Sequence, residues 1–236
     1  MLMSQETITL ITGANKGLGF ETARRLKAHG HRVYLTARDT ERGGTAAAEL
    51  GVAFLQLDVT DEASVTQAAA ELERLEGRLD VLVNNVGIPG PRRDVQDLTA
   101  DDATEVFGTN VVSAVRVMHA FLPLLERSDA PVIVNVTSGL GSFAATQDPS
   151  RIEFKVGIPL YSASKAAFTM LTTEYAKLLP HFRVNAADPG YTATDFNSNS
   201  GPQTVTEGTD AIVRLATLGA DGPTGTLTDR YGTLGW

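Results

Sequence analysis

The feature that most restricts this chain is an alternation. Short β-branched runs bounded by turn residues give way repeatedly to longer Ala- and Leu-rich segments of helical period. The runs are "TITLIT" at 7–12, "RVYLTA" at 32–37, "AFLQLDV" at 53–59, "DVLVNN" at 80–85, "PVIVNVTS" at 131–138, "RVNAADP" at 183–189 and "GTLTD" at 225–229. Helices are expected near 17–29, 61–76, 101–127, 162–179 and 206–217, with Thr60, Asp61 and Ala63 as a capped start and Pro180 as a stop. Strands that are apolar throughout need cover on both faces, which crossover helices supply to a parallel sheet. The expected fold is α/β: a doubly wound sheet of Rossmann type with about seven strands, in a single domain over residues 1–236. The polar stretches 142–159 and 196–208 are expected as loops over the carboxyl edge of the sheet, where ligands of such sheets bind.

A formal net charge of −8 offers no basic footprint for nucleic acid or an anionic membrane, though it leaves room for a local cationic pocket. With no cysteine there are no disulfides, thiolate chemistry or cysteine-bound metals. His29, His31, His119 and His181 lack metal-ligand spacing, so no metal is expected. The start "MLMSQETITLITGA" has neither the basic region of a signal peptide nor a long apolar run; a soluble, cytoplasmic protein is the expectation.

"TGANKGLGF" follows the first run directly and opens the first long helix. Gly13, Gly17 and Gly19, with Asn15, Lys16 and Leu18 between them, suit a chain that turns sharply and brings backbone N–H groups against a pyrophosphate. The alternative is a glycine-rich structural turn. After the second run, a site for NAD places a carboxylate to accept the ribose 2′-hydroxyl. Here Ala37 is followed by Arg38, suited to a 2′-phosphate, with Lys16 as a second charge; NADP(H) is preferred over NAD(H). Two readings stay open: Arg38 and Lys16 as solvated surface cations, and Asp39 as a carboxylate that pairs with Arg38 or reaches the ribose. Further along, "LYSASKAAF" puts Tyr161 and Lys165 on one face of a helix, close enough for an ammonium to act on a phenol.

Taken together, "TGANKGLG", "LDVT", "NNVG", "TN" at 109–110, "VTSG", "YSASK" and "PGYTATD" resemble the short-chain dehydrogenases/reductases, in that family's order and over nearly the whole chain. Within it, the NADPH-dependent carbonyl reductases look most similar. The resemblance implies that Asp58 receives the adenine amino group, with the Val59 backbone beside it. It implies that Asn84, Asn85 and Gly87 wall the adenosine ribose side and stabilise the central sheet, and that Pro189, Gly190, Thr192 and Thr194 hold the nicotinamide end. Val86 departs from the family's more usual Ala.

The catalytic set implied is Asn110, Ser138, Tyr161 and Lys165. Hydride transfer to a carbonyl builds negative charge on oxygen, so the site needs an acid and hydrogen-bond donors. Tyr161 is the implied acid; a free phenol has a pKa of about 10, and Lys165 with a positive nicotinamide is expected to lower it. Ser138 would hold the substrate oxygen, and Asn110 would mark a helix kink whose freed carbonyl binds a water linked to Lys165. Taken singly, these residues also read as a strand end, a satisfied core amide and an interfacial pair. The stretch between Ser138 and Tyr161 resembles, in abbreviated form, a segment of monomeric carbonyl reductases, implying a monomer or weak homodimer rather than a tetramer. The short segment after Asp195 suggests an open pocket for a small aldehyde or ketone. A non-catalytic NADP(H)-binding sensor or scaffold is the rival reading.

Overall fold

The structure is a computed structural model that describes residues 6–236. Strand β1 (Ile8–Ile11) is buried at every residue and pairs in parallel with β2 (Arg32–Ala37) on one side and β4 (Val81–Asn84) on the other. Beyond β2 lies β3 (Ala53–Gln56), and beyond β4 come β5 (Val132–Val136), β6 (Arg183–Ala187) and β7 (Leu227–Thr228), all parallel to their neighbours. A final short strand, β8 (Thr233–Leu234), pairs antiparallel with β7, so the order is β3-β2-β1-β4-β5-β6-β7-β8. This is the expected doubly wound sheet with one strand more than expected, a two-residue edge too short to leave a periodic signal.

Alternate strand residues feed opposite faces. Leu10, Tyr34, Leu82 and Ile133 join Phe121 and Leu72 in one core. Their neighbours Ile11, Leu35, Val83 and Val134 join Leu26 and Ile212 in the other. The first face is covered by α3 (Glu62–Glu76), α5 (Ser113–Leu125) and α7 (Pro159–Leu178); the second by α1 (Gly17–Ala28), α2 (Thr40–Leu50) and α9 (Asp210–Ala216).

Helix α2 is not among the expected helices. Asp39 caps it, its carboxylate accepting the Arg42 N–H at 2.9 Å, and Ala46 and Ala47 pack inward. The start at 61 is as expected: Asp61 caps α3 by accepting the Ala63 N–H at 2.9 Å. The long helix expected over 101–127 is α4 (Ala100–Phe107), a π-helical turn (Gly108–Val112) and α5. This run reaches the length and mean hydropathy, 1.2, of a membrane span. Its residues Val106, Val117, Phe121 and Leu125 are buried in the protein. Helix α7 begins at Pro159, where a missing N–H costs nothing. The segment expected at 206–217 is split into α8 (Val205–Gly208) and α9. The 142–159 stretch carries α6 (Phe143–Gln147) and a 3-10 turn at Glu153–Lys155.

Several expected strands end early. β3 stops before Asp58 and Val59, β4 before Asn85, β5 before Ser138 and β6 before Pro189. These residues stand just past the carboxyl ends of the strands, which is where a parallel sheet exposes ligand-binding loops.

Candidate active site

Gly13 and Gly17 adopt φ of +61° and +58°, which other residues avoid. Gly19 has no room for a side chain: a Cβ there would lie 2.7 Å from Ala14 Cα and from Asn85 Nδ2. The turn leads into α1, whose first residues have no side-chain cap and whose first turn holds no acid. Its N–H groups therefore face the cleft unpaired by side chains, and the residues present fit a dinucleotide pyrophosphate. Asn85 Nδ2 donates to the carbonyls of Thr12 and Gly13 at 3.0 and 3.1 Å, bracing the turn from below. Val86 does the same by packing, with Cγ2 2.7 Å from where a Gly13 Cβ would sit.

The neighbouring residues divide into those that face solvent and those that do not. Arg38 is exposed at the end of β2. Asp39 caps α2 through its Oδ1, and its Oδ2 stands 3.8 Å from the Arg42 guanidinium. Lys16 is not a free cation: its ammonium pairs with Asp195 at 3.0 Å, across the cleft mouth. Asp58 Oδ1 accepts the N–H and hydroxyl of Thr60 at 2.9 and 2.7 Å. Burial pushes this carboxyl up, but the Thr60 bonds and the Arg38 and Arg116 charges leave it below the usual range. Asn84 lies inside the sheet, where its Nδ2 donates to Asn135 Oδ1 at 2.9 Å, and Asn135 donates on to Thr172 at 2.9 Å. It ties β4 and β5 to α7, and its Oδ1 is buried without a hydrogen-bond partner among the described residues. Val59 is buried, and its carbonyl accepts from Arg116 at 2.8 Å.

On the far side, Gly190 takes φ of +66° after Pro189. The Thr192 hydroxyl donates to the Pro189 carbonyl at 2.8 Å, and its N–H faces the Gly190 carbonyl at 3.0 Å. Thr194 opens a short turn, and its Cγ2 would be 3.8 Å from a Cβ on Gly17, so the two walls of the cleft meet here. Leu18 reaches under Gly208 on the same side.

The four catalytic candidates come together. Asn110 sits in the π-helical turn and is 1% exposed. Its Oδ1 accepts the Ile88 N–H at 2.8 Å, and its Nδ2 donates to the Ile88 carbonyl and the Ser164 hydroxyl, each at 2.9 Å. Ser164 donates in turn to the Tyr161 carbonyl at 2.7 Å, so the helix irregularity is wired to α7. The Lys165 ammonium donates to the Val136 carbonyl at 2.8 Å and stands 5.7 Å from the centre of the Tyr161 ring. A Cβ on Gly87 would come within 3.3 Å of it. Ser138 opens the turn Gly139–Gly141, where a Cβ on Gly141 would strike the Lys165 backbone at 2.6 Å. That turn is therefore pressed directly onto α7.

Burial pushes the Tyr161 phenol well up, interaction with the Ser138 side chain opposes this, and Asp188 adds to the rise. Burial is the largest of these influences, so the protein's own surroundings favour the neutral phenol. Burial pushes the Lys165 ammonium down to about 8, with Asp188 opposing. Beside Tyr161, the Phe196 ring lies 5.6 Å away at 57°, and a cavity of about 630 Å³ opens past Leu160, lined also by Arg92, Lys155, Ile158 and Tyr191.

The sequence reading passed over Asn135, Ser164 and Thr172, polar residues inside apolar periods, and the buried acids Asp188 and Glu153. "AADPG" carries a signal for Asp188: a carboxylate directly after a buried run.

Residues 7–204 match the family described as short chain dehydrogenase. A (+)-neomenthol dehydrogenase of Arabidopsis thaliana is 36% identical, the match covering 92% of this chain and 94% of that one. Salutaridine reductase of Papaver bracteatum is 30% identical over 93% of each. Among solved structures, NADPH-bound carbonyl reductase from chicken fatty liver superposes with a TM-score of 0.85 at 28% identity, covering 99% of this chain and 100% of that one. The glycine turn, the buried Tyr161 and Lys165 and these likenesses agree: the chain belongs to the short-chain dehydrogenases/reductases and is an oxidoreductase of that family.

Proposed function

We propose that the protein reduces small aldehydes and ketones with NADPH, Tyr161 serving as the acid. The observation that carries this reading is the burial of Tyr161 and Lys165 one turn apart, beside Ser138, on the same sheet edge as the glycine turn. Arg38 stands where an NAD site would have its carboxylate, and Asp39 is occupied as a cap, which supports NADP(H) over NAD(H). The likeness to an NADPH-bound carbonyl reductase supports the same choice.

Gly13, Asn15, Gly17 and Leu18 line the pyrophosphate turn, Arg38 takes the 2′-phosphate, and Pro189, Gly190, Thr192 and Thr194 border the nicotinamide end. The chemistry that a bound NADPH supplies is hydride. Tyr161 gives its hydroxyl proton to the substrate oxygen as negative charge builds there, and Ser138 donates a second hydrogen bond to that atom. Holding the phenol neutral keeps the proton in place until then. Lys165, mostly an ammonium at neutral pH with a pKa of about 8, steadies the phenolate left behind. Asn110 fixes the register of α7 through Ser164. The same proposal includes a monomer or weak dimer, which light scattering tests; a stable tetramer would remove it.

Tyr161→Phe is the deciding variant. With an activated ketone, NADPH oxidation should fall by about 10²–10⁴-fold, while fluorescence titration shows NADPH still bound. Full activity in that variant would sink the mechanism.

A further inference from the structure

The cavity of about 630 Å³ beside the catalytic residues has a mixed lining. Leu98, Val156, Ile158, Leu160 and Tyr191 give it apolar surface, and Leu160 adjoins the catalytic Tyr161 in the chain. Arg92, Arg93, Lys155 and Asp94 give it charge. Three cations to one acid runs against the balance of a chain whose net charge is −8. Arg93 is taken: its Nη1 donates to Asp102 Oδ2 at 3.1 Å, and that oxygen also accepts the Thr99 N–H and hydroxyl, each at 2.9 Å. Glu153, close to Lys155 in the chain, is forked by Arg151, with Nη2 to Oε1 at 3.0 Å and Nε to Oε2 at 3.1 Å. Both of these buried acids are thus engaged, and Arg92 and Lys155 form no ion pair among the described residues.

The loop that carries Arg92 is braced from the catalytic side. Asn110 grips its base at Ile88, through the N–H at 2.8 Å and the carbonyl at 2.9 Å. Between Pro89 and Pro91, Gly90 takes φ of +71°, and a Cβ there would lie 2.6 Å from Val106 Cγ2, so the loop is pressed onto α4. Arg93 then ties it to Asp102 in the first turn of the same helix. Arg92 is left as an exposed guanidinium on a fixed backbone, and Lys155 lines the same cavity from the 3-10 turn Glu153–Lys155. A guanidinium presents a planar fork that matches a carboxylate, and an ammonium adds a point charge. Asp94 is the opposing charge in this lining.

We propose that this cavity selects oxo acids over their neutral counterparts: substrates with a carbonyl at one end of an apolar body and a carboxylate at the other. Arg92 and Lys155 hold the carboxylate while the carbonyl lies at Tyr161 and Ser138, so the selection of substrates rests on Tyr161 being the acid of carbonyl reduction. Hydride from NADPH and the proton from Tyr161 turn the carbonyl into a hydroxyl, and the carboxylate leaves unchanged. The apolar lining serves the body of a neutral substrate equally well; the two cations are what tell the acid from its ester. They also offset the repulsion that an anion meets on approaching a protein of negative net charge.

The test has two arms. In the first, NADPH oxidation is followed with straight-chain ω-oxo acids of increasing length, each beside its methyl ester. At the best length kcat/KM for the acid should exceed that for the ester by about tenfold, the worth of one hydrogen bond to a charged group. The ratio should shrink as salt rises. Arg92→Gln should bring it near one, Arg92→Glu should reverse it, and Asp94→Asn should raise it. A ratio near one in the wild type, or a ratio unmoved in Arg92→Gln, overturns the proposal. In the second arm, calorimetric titration of the protein alone compares octanoate with octanamide. Octanoate should bind about tenfold more tightly, and Arg92→Gln should remove the difference. Equal binding, no binding, or a difference that survives in Arg92→Gln overturns the anion site. This arm needs neither cofactor nor turnover, so it decides the site even if Tyr161→Phe stays active. Esters reduced in a Tyr161-dependent way with no preference for the acid would overturn the selection and leave the proposed function standing.

Discussion

The two ends of the cleft treat charge in opposite ways. At the glycine-turn end, Lys16 and Asp195 pair with 64% and 66% of their side chains exposed, and Arg38 is in solvent. At the catalytic end, Tyr161 and Lys165 are 8% and 3% exposed, with Asp188 buried beside them. Water screens the first set, so binding there depends on backbone shape: two left-handed glycines, a helix end without a cap, and a Gly19 with no room for a methyl group. The second set is dry. Each proton there changes both stability and rate, because a buried charge has little solvent to fall back on.

Lys165→Met strikes this contrast hardest. Catalysis should fall by about 10²–10⁴-fold, yet the folded protein should gain. Burial depresses the lysine from 10.5 in the unfolded chain to about 8 in the folded one. Between these values the unfolded state binds more protons, so the wild type gains stability as pH rises from about 8 to 10.5, and the buried charge costs most below about 8. The whole change is about 3 kcal/mol. Melting curves should therefore place the variant above the wild type at neutral pH and show the gap closing through that window. A gap that does not vary with pH would mean that the ammonium is not the costly group.

Gly19→Ala tests the other end by shape rather than charge. The added methyl would meet Ala14 Cα and Asn85 Nδ2 at 2.7 Å and the Gly13 carbonyl at 2.8 Å. Denaturant unfolding should show a loss of about 1–3 kcal/mol, and fluorescence titration should show NADPH affinity falling with it. Gly44→Ala is the control, since nothing lies within 4 Å of its Cβ position. Retained affinity in Gly19→Ala would show that close backbone approach is not what the turn provides.

The same contrast explains what the sequence revealed. The central strands were legible because a sheet buried on both faces must be apolar throughout, and the glycine turn was legible because its spacing is local. Tyr161 and Lys165 share one helix face, so four residues of sequence carry their relation. Helix α2 was hidden by Gly43 and Gly44, and Gly43 is required by the Phe54 ring that occupies its Cβ position. The approach of Asp188 and Glu153 to Gly139 was not legible at all: they lie 35 positions apart, and only the crossing from β5 through α7 to β6 brings both to that glycine. Nor does sequence show that Lys16 is already paired, since Asp195 lies 179 positions away. Chemistry carried by neighbours in the chain was readable, whereas chemistry carried by the sheet's topology was not.

Asp195→Asn should give the smallest effect and the finest test of the contrast. Removing one partner of a pair this exposed should change stability by less than about 0.5 kcal/mol. Its consequence lies in the cofactor: Lys16, no longer held by a carboxylate, becomes available to a cofactor phosphate. NADPH affinity should rise by less than about fivefold at low salt, the equivalent of under about 1 kcal/mol. The gain should vanish as salt shortens the screening length to a few ångströms. Titrations at low and high ionic strength measure both quantities. A gain above tenfold that survives high salt would mean that Lys16 and Asp195 act as a buried pair, and that the glycine-turn end is as dry as the catalytic one. A small, salt-sensitive gain keeps the division intact: shape governs binding at one end of the cleft, and protons govern reaction at the other.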